Sequence, residues 1–167
     1  MRSSWDHVAA SKVDVPKEAY AIEFGMAEVR RHGKDITVVA TMLMVHKALE
    51  AAAELAKEGI ELEVIDPRTL VPLDVETILQ SVMKTNRLIV AVEDHRTCGV
   101  SAEIAAIAAE RAFAYLDAPP RRVASLDVPI PFAPIAEQHV IPNTGDIIKA
   151  ARQLMKESGE WEESQYS

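Results

Sequence analysis

From Gly33 onward, short apolar runs alternate with longer stretches in which apolar positions return every three or four residues. Ile36-Thr37-Val38-Val39-Ala40 reads as a buried strand after the break at Gly33-Lys34-Asp35. Val45 to Lys57 reads as an Ala-rich helix with Val45, Leu49, Ala52, Ala53 and Ala56 on one face, and Gly59 sits where a helix-terminating glycine belongs. Leu62 to Asp66 is a second strand, broken by Pro67. Asp74 is an N-cap for a helix over Val75–Lys84, striped by Ile78, Leu79 and Val82 and ended at Asn86.

Arg87 to Val92 is nearly continuous in apolar residues and reads as a third strand. Gly99 and Ser101 open a helix from Ala102 to about Tyr115, with Ile104, Ala105, Ala108, Ala112 and Phe113 toward the sheet. Arg122 to Leu126 is a fourth strand. The proline-rich loop Asp127–Pro134 is rigid and non-helical, a short helix follows at Ile135–His139, and a last helix spans about Thr144 to Lys156. Strand and helix in alternation predict an α/β domain with three α/β/α layers and a mostly parallel sheet. Residues 1–23 show no period and read as a leader or linker, 24–156 as the domain, and 157–167 as a polar tail.

Composition narrows the chemistry. Hydrophobic residues make up 49% of the 167 but aromatics only 5%, so the core is aliphatic and rich in alanine. A net charge of −8 opposes binding to nucleic acid or an anionic membrane surface, and it suits a basic protein partner. No apolar stretch approaches the ~20 residues of a membrane helix. Met1 to Ala10 includes Asp6 and no apolar run, unlike a signal peptide. The single cysteine, Cys98, excludes an intrachain disulfide and points to a reducing, cytoplasmic setting.

No glycine-rich phosphate loop, nucleophile elbow or metal-ligand spacing occurs. The richest cluster is Glu93-Asp94-His95-Arg96-Thr97-Cys98-Gly99, after the third strand and before a helix. Ligands of open α/β sheets dock at the carboxyl ends of strands, so Glu93, His95 and Arg96 are candidates for a site edge or a subunit contact, with a helix N-terminus open to an anion. A solvated turn has the same composition. Asp66 and Arg68 flank Pro67 and either pair with each other or face a partner. Pro131 and Phe132 belong to a rigid loop that either packs on its own core or forms a ledge for another chain.

Several segments, taken in order, resemble one family. Gly33-Lys34-Asp35-Ile36-Thr37-Val38-Val39 resembles "GKDVTIV", and Val64 to Asp74 resembles "VIDLRTLxPLD". Ser81 to Arg87 resembles "SVxKTxR"; Glu93, Gly99 and Ala102-Glu103-Ile104 keep the "E…GxxAEI" spacing; Asp127 to Phe132 resembles "DxPxPF". Over about Pro16 to Met155 the chain is similar to beta subunits of the decarboxylating component of 2-oxoacid dehydrogenase complexes, which act on pyruvate, branched-chain 2-oxoacids or acetoin.

The resemblance implies a transketolase-type C-terminal domain of about five strands with one antiparallel edge strand, drawn from Ala21–Val29. It also implies that thiamine diphosphate and Mg2+ belong to the assembled enzyme and that this chain alone binds neither. The implied partners are an N-terminal beta domain or subunit, an alpha subunit, the subunit-binding domain of the lipoyl acyltransferase and a second copy in a homo-oligomer. No catalytic residue is assigned to this chain. A stand-alone assembly or regulatory module and an independent small-anion binder are the competing readings. Three departures stand out. The family's glycine after the first strand is absent from Ala40–Leu43, its "TGG" reads Thr97-Cys98-Gly99, and the chain runs on past Met155.

Overall fold

The computed structural model describes residues 17–165, with side chains as far as Ser158. Of the expected leader over 1–23, residues 1–16 lie outside the described residues. Five strands form one sheet: β1 (Glu28–Arg31), β2 (Ile36–Ala40), β3 (Leu62–Asp66), β4 (Leu88–His95) and β5 (Arg121–Ser125). Their order across the sheet is β1-β3-β2-β4-β5. Strands β3, β2, β4 and β5 run parallel, and β1 lies antiparallel on the outer side of β3. The extra edge strand is therefore present but begins later than the expected Ala21–Val29.

Helices α1 (Leu43–Ala56) and α5 (Thr144–Gln165) cover one face, while α2 (Val75–Thr85) and α3 (Val100–Arg111) cover the other; a short α4 (Pro134–Val140) follows β5. Side chains alternate across each strand, so the two faces build separate cores. Val38, Ala40, Val64, Ile89 and Ala91 pack with Ala48, Ala51, Leu55, Ile147 and Leu154 on one side. Val39, Ile65, Val90 and Val92 pack with Ile78, Leu79, Val82 and Ile104 on the other. Each buried Val, Leu or Ile side chain among them contributes about 1.5–3 kcal/mol. The three-layer α/β/α fold is as expected.

Four local features differ from the sequence pattern. In α1 the buried stripe is Met44, Val45, Ala48, Ala51, Ala52 and Leu55, and Ala53 faces solvent. An alanine-rich helix offers little contrast between adjacent faces, and Leu55 decides which one packs. Strand β4 runs on through Glu93, Asp94 and His95, because backbone pairing of His95 with Ser125 asks nothing of the side chains. Helix α3 stops at Arg111; Ala112 leaves the helical region at φ −128°, and Phe113 begins a 3-10 turn and points to solvent instead of the sheet. Helix α5 continues past Lys156 to Gln165. The start of this extension is tied down: Arg121 pairs with Glu157, and Arg87 Nε donates to Ser158 Oγ at 2.7 Å.

Candidate interaction surface

The parallel strands all end on one edge of the sheet, and the turns leaving β2, β3, β4 and β5 crowd there. The β3–α2 turn is built by its own polar side chains. Asp66 Oδ1 accepts the backbone N–H of Arg68 at 2.9 Å, which stabilises Arg68 at φ 58°. The Arg68 guanidinium turns away from Asp66 to Glu28, at 2.6 Å. The two flanking residues thus form a capped turn, and the ion pair joins the turn to β1. Hydrogen bonding from Arg68 holds the Glu28 carboxyl below its ordinary range.

Thr69 Oγ1 donates to the Pro72 carbonyl at 2.7 Å and accepts the Gly25 N–H at 2.9 Å. Asp74 caps α2 through the Thr77 N–H at 3.1 Å and also accepts the Ala27 N–H at 2.9 Å. Partial burial pushes the Asp74 carboxyl up, but these N–H donors outweigh it and the group sits below its ordinary range. The segment entering the domain is thereby pinned to this same edge.

The turn after β4 is tied to the turn after β5. Thr97 donates to Asp127 twice, from its N–H at 2.9 Å and its hydroxyl at 2.6 Å. The hydroxyl bond, then the N–H bond, lower the Asp127 pKa, with Arg96 and His95 adding attraction. His95 Nε2 meets the Val128 carbonyl at 3.3 Å, and its Nδ1 lies 3.8 Å from Asp94. The Nε2 of His95 is thus engaged by the β5 turn, and Cys98 is exposed. At the α3 N-terminus, Asp94 Oδ2 accepts the Val100 N–H at 3.3 Å. His95, Thr97, Asp127, Val128 and Pro129 line a shallow, open depression.

Gly99 and Cys98 explain the "TGG" spacing. A Cβ on Gly99 would lie 2.0 Å from the His95 carbonyl oxygen, so no side chain fits. Cys98 adopts φ 59°, a left-handed backbone that glycine takes at no cost.

The sequence-predicted candidates share the edge but do not converge. Asp66 and Arg68 stand at β3, while Glu93, His95 and Arg96 stand at β4, two strand spacings away with β2 between them, about 10 Å. Pro131 and Phe132 follow β5, and the β4 and β5 turns meet directly. Phe132 does not pack on its own core: the residue is 91% exposed.

Apolar exposure is what unites this edge. Val71 is 93% exposed, and Phe24, Met26, Met42, Leu70, Leu126, Val128, Ile130 and Ile135 are exposed as well. Sequence reading missed Met42, Val71 and Phe24, since an isolated apolar residue in a turn carries no period. Loss of water from exposed apolar side chains favours association. Among the described residues, no group of three or more His, Cys, Asp or Glu side chains is placed to hold a metal ion, and none of their helices is long and apolar enough to cross a membrane.

Comparison with known proteins agrees with this architecture. Residues 25–147 match the family model "Transketolase, C-terminal domain". The chain is 49% identical over 143 residues to the beta subunit of acetoin:2,6-dichlorophenolindophenol oxidoreductase of Cupriavidus necator, covering 86% of this chain and 42% of that protein. It is 43% identical over 143 residues to the pyruvate dehydrogenase E1 component subunit beta of Bacillus subtilis, again covering 86% of this chain and 44% of the relative. The chain therefore spans less than half the length of these curated relatives. A solved split-gene transketolase, an inactive β4 tetramer, superposes with a TM-score of 0.73 at 28% identity, covering 83% of this chain and 45% of that one. With the sheet order, the turn chemistry and the matched span in agreement, the chain belongs to the transketolase C-terminal domain family.

Proposed function

We propose that this chain serves as the C-terminal domain, or a separately encoded C-terminal half, of a 2-oxoacid dehydrogenase beta subunit. The enzyme so assembled carries out thiamine-dependent oxidative decarboxylation and transfers the acyl group to lipoyl-lysine. The observation that carries the reading is the exposed apolar edge from Phe24 and Val71 to Phe132, on a chain similar to less than half of each beta subunit. That edge is the face for the remaining half of the subunit or for further copies in a homo-oligomer. Asp66, Arg68, Glu93, His95, Arg96, Pro131 and Phe132 act there as contact residues, and none is assigned to catalysis.

The reading assigns thiamine diphosphate and Mg2+ to the assembled enzyme. Both belong to sites supplied by the N-terminal half and the alpha subunit. The reading places the protein in the cytoplasm and makes the lipoyl acyltransferase subunit-binding domain a partner of the assembled enzyme.

The test is light scattering of the chain alone and with a matching N-terminal beta chain, alpha subunit, thiamine diphosphate and Mg2+. A defined complex that decarboxylates a 2-oxoacid supports the reading. A chain whose mass is indifferent to these partners overturns it and leaves a stand-alone assembly module.

A further inference from the structure

We draw no further inference here: the strongest candidate, the apolar strip of Phe24, Met26, Leu70 and Val71 along the carboxyl edge of the sheet, belongs to the surface already described, and nothing in the structure shows which partner covers it.

Discussion

The Ser81 hydroxyl on α2 donates to the Glu63 carboxylate on β3 at 2.5 Å, inside the face of the sheet that α2 covers. The chain of hydroxyls continues from Ser81 to Thr37 at 2.6 Å and from Thr37 to Thr85 at 2.7 Å. Lys84 and the Gly33 N–H close the other carboxylate oxygen. With Ser81 donating to Glu63, Thr37 donates to Ser81, and Thr85, whose hydroxyl also reaches the Arg87 carbonyl at 3.1 Å, ends the chain. A polar residue in the middle of the central strand β2 is tolerated because of this network.

Ser81→Ala strips a charge-assisted hydrogen bond from a nearly buried carboxylate, so it is expected to destabilise the domain by about 1.5–3 kcal/mol. Urea unfolding followed by circular dichroism measures it. A loss too small to resolve would show that water replaces the hydroxyl and that the network is dispensable.

The same network sets the acid limb of stability. Burial raises the Glu63 pKa, but hydrogen bonds from Lys84, Ser81 and Gly33 outweigh it and the net shift is downward. A carboxylate with a depressed folded pKa contributes stability that is complete above its unfolded pKa, about 4.3, and is lost as pH falls through the lower folded value. Glu63→Gln is therefore expected to lower stability at neutral pH and to flatten its decline below about pH 4.5. Unfolding free energies from pH 7 to pH 3 for both proteins check the slope; parallel curves would remove Glu63 from the acid response.

Much of this was legible in the sequence, for identifiable reasons. The strands β2 and β3 and the helix α2 announce themselves through aliphatic runs, Asp74 and Asn86, all of which act locally. The "SVxKTxR" segment was visible only as a resemblance. Its Ser81, Lys84 and Thr85 serve partners on β2 and β3, which no spacing rule reveals. The pairing of Thr97 with Asp127, thirty residues on, is hidden in the same way. The Arg68 contact with Glu28 was hidden further because Asp66 is the nearer carboxylate in sequence.

Adjacent positions in the β4–α3 turn should respond with opposite sign. Cys98 holds φ 59°, which costs a residue with a side chain about 1–2 kcal/mol. Cys98→Gly removes that cost while adding unfolded-state entropy of about 0.4–1 kcal/mol, for a net gain between about 0 and 1.6 kcal/mol. Gly99→Ala drives a methyl group into the His95 carbonyl and is expected to cost more than about 2 kcal/mol. Thermal denaturation of the two variants decides the matter; two shifts of the same sign would contradict the turn geometry.

The coupling of the two turns is visible to NMR without changing the fold. The Asp127 carboxylate, held down chiefly by the Thr97 hydroxyl and N–H, protonates at lower pH than an ordinary aspartate. The Thr97 amide resonance should therefore move with a midpoint below the usual aspartate value of about 3.9. In Asp127→Asn the transition should vanish. A Thr97 amide that titrates unchanged in that variant would place the responsible group elsewhere.

The apolar edge separates folding from assembly. Val71 and Phe132 are almost wholly exposed, so replacing them removes little that the isolated domain buries, and surface substitutions of this kind change stability by about 0.5 kcal/mol or less. An interface draws most of its affinity from a few desolvated apolar or aromatic anchors, and a carboxylate placed among them costs several-fold to many-fold in binding. Phe132→Asp and Val71→Asp, singly and together, are therefore expected to leave the melting temperature near that of the parent. They should weaken association with an N-terminal beta chain, or self-association, by tenfold or more. Sedimentation equilibrium across a concentration series reads the association, and circular dichroism reads the fold. Loss of association in the Phe132 variant alone would assign the contact to the β5 turn, and loss in the Val71 variant alone to the β3 turn. Unchanged association in the double variant would move the interface off this edge and remove the observation on which the proposed role rests.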